Sequence, residues 1–149
     1  MARPLDELVA VVARLRSPKG CPWDREQTHK SLIKYLREEA KEVEGAIKKG
    51  AWHEIEDELG DLLLQVLLHA QIAQDNGQFD IQDVARSQAL KLRRRHPHVF
   101  GSREFKSAEE VLRHWGAIKA GERNLRRRDV DRRLKASRAA GAPRRFESS

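Results

Sequence analysis

From Leu59 to Ala73 the chain is apolar on almost every side of a helix, through Leu59, Leu62, Leu63, Leu64, Val66, Leu67, Leu68, Ala70, Ile72 and Ala73. A surface helix carries one apolar stripe, whereas a helix that is apolar all round has to be covered all round. A chain of 149 residues makes one core of modest size. It holds too little protein to wrap such a helix by itself, so the stretch predicts a helical bundle completed by another subunit. No apolar run reaches the ~20 residues needed to cross a bilayer, and no membrane association is expected.

The flanking sequence also reads as helix. Leu5, Leu8, Val9, Val12 and Leu15 recur at helical spacing and give a first helix over residues 4–16. Pro18, Gly20 and Pro22 end it in a loop, after which Asp24 and Gln27 form a capping-box pattern that restarts a helix. This second helix carries Leu32, Ile33, Leu36, Ala40, Val43 and Ala46 to a stop at Gly50. The apolar third helix runs from Trp52 to about Asn76, with Gly77 as its stop. Asp80 and Asp83 cap a fourth helix over residues 81–95, closed by Pro97; a loop covers residues 96–106. Ser107 and Glu110 cap a fifth helix bearing Val111, Leu112, Trp115 and Ile118. Aromatic residues are only 5% of the chain, which suits an all-α protein, and no strand pattern or internal repeat is present.

Charge divides the chain. Residues 123–149 hold ten Lys/Arg and three Asp/Glu, which leaves 20 of each sign in residues 1–122. The net charge of +7 therefore belongs to the C-terminal stretch alone. Apolar periodicity also ends there, so the sequence is read as a folded domain over 1–122 and a basic, disordered tail over 123–149. The single cysteine, Cys21, excludes an internal disulfide framework and a thiolate zinc site. Asp6 and Glu7 within the first apolar pattern do not fit a signal peptide, and a cytoplasmic protein is expected.

The chemistry lies in the acidic residues of the second and third helices. Positions three or four apart share a helix face, so Glu39 pairs with Glu42 and Glu58 with Asp61. Each pair lies on or beside an apolar stripe, where carboxylates repel one another and lose hydration unless something neutralises them. Two such pairs facing across a helix hairpin make a cage of hard oxygen ligands, the set preferred by Mg²⁺ or Mn²⁺. The alternative is a solvated helix face, and for Glu44, Glu54 and Glu56 that reading is adopted. The histidines carry less. Glu26-x-x-His29 is half of a di-iron motif whose second copy is absent, and His69 reads as a core or interface histidine.

Gly20-Cys-Pro-Trp-Asp24, Gln27-Thr28, Glu38-Glu39-x-x-Glu42, Glu58-Leu-Gly-Asp61 and Lys91-Leu-x-x-Arg-His-Pro-His-Val-Phe100 together resemble the MazG family of nucleoside triphosphate pyrophosphohydrolases. The resemblance covers about residues 5–123. It implies an intertwined four-helix bundle, dimeric or a dimer of dimers, with the fifth helix added. It also implies Mg²⁺-dependent cleavage of an NTP or dNTP to the monophosphate and pyrophosphate, with Mn²⁺ as a substitute. By position, the family's metal ligands fall on Glu39, Glu42, Glu58 and Asp61, and Glu38 stands beside them, either supporting the ligands or positioning a water. Lys91, Arg94 and Arg95 match phosphate-contacting positions, and Trp115 with Lys119 a further nucleotide-contacting pair. Trp23 is a candidate wall for the base, against the alternative that it is simple packing. Many family members carry two copies of this module, and this chain has one, similar to the amino-terminal copy.

Two readings of other classes compete with the enzyme. One is a catalytically silent nucleotide-binding or regulatory module. The other is a nucleic-acid-binding protein acting through the basic tail, where counterion release alone gives salt-sensitive affinity. The acidic cage favours the enzyme, since an electrostatic nucleic-acid binder has no use for it.

Overall fold

The computed structural model describes residues 3–139, and no strand occurs among them. The chain divides into two compact units, the first ending at Ala85 and the second starting at Arg86.

The first unit contains α1 (Pro4–Leu15), α2 (Pro22–Glu26), α3 (Ile33–Lys49), α4 (Trp52–Asp75) and the start of α5 (Ile81–Arg95). α3 and α4 form a helical hairpin, and α1 packs on α4. Gly50 and Gly77 follow α3 and α4 at positive φ (71° and 68°), the left-handed conformation that glycine adopts without steric penalty. Both stops were expected. The core gathers Val12, Leu32, Leu67, Leu68 and Ile72, with Leu8, Val9, Tyr35, Leu64 and Ile81 against it. Complete burial of a side chain such as Leu68 contributes roughly 1.5–3 kcal/mol. An exposed helix pair such as Lys48–Glu44 contributes only ~0.3–0.5 kcal/mol. The hairpin is therefore held by its apolar seam.

The second helix starts later than Asp24 predicts. Asp24 lies inside the short α2, and the Gln27 side-chain amide donates back to the Trp23 carbonyl (2.9 Å). Thr28 and Ser31 close the turn between them, each backbone N–H donating to the other's hydroxyl (2.9 and 3.1 Å), and α3 begins after it at Ile33 with no side-chain cap. Arg16 ties this loop region to the helices. Its Nη1 donates to the carbonyls of Asp24 (2.5 Å) and Gln27 (3.2 Å), and its Nε to Asp75 at the end of α4 (3.0 Å). Gly20 is required by close approach: a Cβ there would lie 2.2 Å from the carbonyl oxygens of both Arg14 and Leu15.

The second unit holds the rest of α5, the short α6 (Pro97–Phe100) and α7 (Ala108–Ala139). Asp80 and Asp83 cap α5 reciprocally (3.1 and 2.9 Å). At α7 the Glu110 N–H donates to Ser107 Oγ (3.3 Å), and the Lys106 N–H to Glu110 (2.9 Å). Both caps were expected. A turn of helix at α6 replaces part of the expected loop, since Pro97 at its first position is pre-set for helical φ. The larger correction concerns the C-terminal stretch. α7 does not stop near Arg123 but continues to Ala139, so residues 123–139 are helical where a disordered tail was expected. Arg, Leu, Lys and Ala are strong helix formers and carry the helix without an apolar stripe. The remainder of the expected tail, residues 140–149, lies outside the described residues.

Candidate functional site

The hairpin turn at Gly50 folds α4 back on α3, and this brings Glu39 beside Glu58 and Asp61. One carboxylate oxygen from each of the three lies within 4.8 Å of the others. Glu39 and Glu58 are half-buried beside the α3–α4 seam, and Asp61 is exposed. Burial raises the Glu39 carboxyl above its ordinary value, and Asp61, Glu58, Glu38 and Glu42 push it further. Burial likewise raises Glu58, with Glu42, Asp61, Asp57 and Glu54 adding to it. None of the three forms an ion pair among the described residues. The cluster concentrates negative charge that no described residue neutralises by an ion pair. A divalent cation with oxygen ligands answers that deficit, and the donor set fits one.

Glu42 acts electrostatically on both Glu39 and Glu58 but stands outside the trio. It is an exposed side chain, for which water is a better neighbour than a fourth like charge. Glu38 is exposed next to Glu39. Beside the cluster, Leu8, His53, Glu56, Asp57, Gly60, Asp61 and Leu64 line an open recess of about 500 Å³. A Cβ added at Gly60 would meet nothing within 4 Å. Trp23 is 46% exposed and packs edge-on against Tyr35, ring centroids 5.5 Å apart. His29 does not join the carboxylates. Its Nδ1 shares a 2.7 Å hydrogen bond with His69 Nδ1, the rings stacked 5.0 Å apart.

The basic candidates lie in the second unit. Lys91 is half-buried on α5. Arg95 is held by three hydrogen bonds to two residues of α7, Trp115 and Glu122. The Trp115 indole N–H donates to its carbonyl (2.9 Å), and Lys119 stands over the Trp115 ring at 5.8 Å. Glu122 then takes its guanidinium, Nη2 to Oε2 at 2.6 Å and Nε to Oε1 at 3.4 Å. Arg94 binds the same carboxylate through Nε (2.9 Å) and Nη2 (2.6 Å). Hydrogen bonds from Arg95 and Arg94 hold the Glu122 carboxyl down to about 2. Sequence reasoning missed Glu122. The available signal was its spacing, since Trp115, Lys119 and Glu122 fall four and three residues apart on one helix face opposite an arginine run.

A family model described as MazG nucleotide pyrophosphohydrolase domain matches residues 27–100. A nucleoside triphosphate pyrophosphohydrolase of Escherichia coli (strain K12) is 45% identical over 80% of this chain and 46% of its own length. The nucleoside triphosphate pyrophosphohydrolase/pyrophosphatase MazG of Thermotoga maritima is 48% identical over 82% of this chain and 46% of its own. The chain thus spans about half the length of these curated relatives. Among solved structures, a mazG-related protein from Thermotoga maritima superposes with a TM-score of 0.63 at 30% identity, covering 76% of this chain and 97% of that one.

Proposed function

The chain belongs to the MazG family, and from that premise we propose that it is a nucleoside triphosphate pyrophosphohydrolase that cleaves NTPs or dNTPs between the α- and β-phosphates. The observation that carries this reading is the convergence of Glu39, Glu58 and Asp61, whose carboxylates pair with no cation among the described residues. These three, with Glu42 beside them, would hold Mg²⁺, with Mn²⁺ as substitute. A divalent ion bound there supplies Lewis-acid polarisation of phosphate oxygens.

The protein's own groups have distinct tasks. Glu38, exposed and adjacent to Glu39, positions the water that attacks the α-phosphorus. The bond to the bridging oxygen breaks and pyrophosphate leaves. Lys91 and Arg95 neutralise phosphate charge, the arginine through a planar fork that a lysine lacks. Trp115 and Lys119 contact the nucleotide, and Trp23 is the candidate wall for the base. Clearance of non-standard nucleotides from the cytoplasmic pool is the role that fits such an activity.

The active form is an assembly, at least a dimer. Leu59, Leu63 and Val66 on α4 are 48%, 37% and 40% exposed in the single chain. Their exposure supports the second subunit that the all-round apolar helix calls for.

A nucleotide panel assayed with Mg²⁺, with phosphate products separated, tests the activity. Equal release of monophosphate and pyrophosphate is expected. Orthophosphate release would place the cleavage elsewhere, and tight nucleotide binding without turnover would identify the silent module.

A further inference from the structure

The carboxylate of Glu122 binds Arg95 along one edge only. Nε and Nη2 are engaged, and Nη1 makes no hydrogen bond among the described residues. Both side chains are sheltered, Arg95 at 19% and Glu122 at 13% exposure. The backbone beneath is fixed as well, because the Trp115 indole holds the Arg95 carbonyl at 2.9 Å. Arg94, at 52% exposure, shares the carboxylate through Oε1. Two guanidiniums would repel each other here, and Glu122 between them holds both while leaving a local charge of about +1.

We propose that Glu122 is a positioning residue for phosphate recognition: it grips the Nε–Nη2 edge of Arg95 so that the terminal Nη1 end is presented, already ordered, to an anionic oxygen of the substrate. The proposal rests on the pyrophosphohydrolase reading. An arginine loses considerable side-chain freedom on binding an anion. A guanidinium ordered beforehand loses less, and that difference appears as affinity. The competing role is plain neutralisation, in which Glu122 masks positive charge and weakens anion binding. The two roles predict opposite signs.

The test is calorimetric binding of inorganic tripolyphosphate to the full-length protein, alongside KM and kcat for an NTP. The variants are Glu122→Gln and Glu122→Asp, each checked for helical content. Positioning predicts about tenfold weaker binding for the Gln variant, with KM rising by a like factor and kcat at saturation little changed. It also predicts weaker binding for Glu122→Asp, which keeps the charge but withdraws it by one methylene. Should Glu122→Gln fail to fold, the Asp variant carries the test. Unchanged or tighter binding by Glu122→Gln, or full wild-type affinity in Glu122→Asp, overturns the proposal. So does a wild-type protein that binds no tripolyphosphate. A wild type that binds it but releases no pyrophosphate from any NTP defeats the functional reading instead, and the comparison of variants still decides the role of Glu122.

Discussion

Glu39 on α3 and Asp61 on α4 bring carboxylate oxygens within 4.8 Å of each other across the Gly50 turn, with Glu58 completing the group. The contact joins two helices that the Lys49–Glu54 ion pair (3.1 Å) also bridges close to the turn. Asp61→Asn removes one charge and almost no volume. It should retain the fold and lower kcat/KM by about 100-fold or more, at or beyond the loss seen for partners of metal ligands. Glu42→Gln, outside the trio, should cost less, about tenfold. Steady-state kinetics at limiting Mg²⁺ check both. Wild-type turnover in Asp61→Asn would show the ligand assignment to be wrong.

Burial of Glu39 and Glu58, with the repulsion of the neighbouring carboxylates, gives stability a pH dependence of definite sign. Glu39 and Glu58 titrate above their ordinary value of 4.5 in the folded protein. Folding therefore binds protons in the window between that value and the raised one, and the metal-free protein should gain stability as pH falls through it. Mg²⁺ or Mn²⁺ should raise the melting temperature, and more at neutral pH than near pH 5. Glu39→Gln should flatten the acid-side gain. A melting temperature indifferent to divalent ions at neutral pH would count against the site.

Assembly has its own signature. If the exposed face of α4 is covered by a second copy, the melting temperature should rise with protein concentration. Leu59→Lys would then split the assembly. In a chain that is monomeric, so exposed a substitution should stay within about 0.5 kcal/mol of wild type. Sedimentation velocity separates the outcomes, and a compact, active monomer at low concentration would end the idea.

The helices were legible because each carries its own local evidence. Apolar spacing marked α1, α3 and α4, glycines marked the stops after α3 and α4, and Asp80–Asp83 and Ser107–Glu110 marked caps that form as read. The trio at the acidic site was legible from i,i+3 spacing and from the family motifs. Glu122 was not, because its partners lie 27 and 28 positions away and only the fold brings them together. Nor was the register of α3's start, because Asp24 offered a capping pattern whereas α3 begins at Ile33 without a side-chain cap. The length of α7 was misjudged for a different reason: a helix can run on intrinsic propensity with no apolar periodicity to reveal it.

That long helix bears on the basic stretch. Deleting residues 126–149 removes no side chain assigned to the nucleotide, and Trp115, Lys119 and Glu122 all remain. Hydrolysis and assembly should persist within about twofold, because the deletion lies beyond every residue assigned to metal or nucleotide. Any salt-sensitive affinity for DNA or RNA should vanish in a filter-binding titration. If hydrolysis is lost with the deletion, the C-terminal half of α7 serves the enzyme directly.

Gly60 sits in the middle of α4, next to Asp61, where glycine costs a helix about 1 kcal/mol relative to alanine. Within the single chain nothing would touch the added methyl group. Gly60→Ala should therefore raise intrinsic helix stability by up to about 1 kcal/mol, read as a higher melting temperature for the isolated chain in dilute, metal-free solution. The wild-type residue forgoes that gain at the rim of the recess beside the acidic cluster. Such a sacrifice of stability at one backbone position is the pattern expected where close approach by another molecule is worth more than a stronger helix.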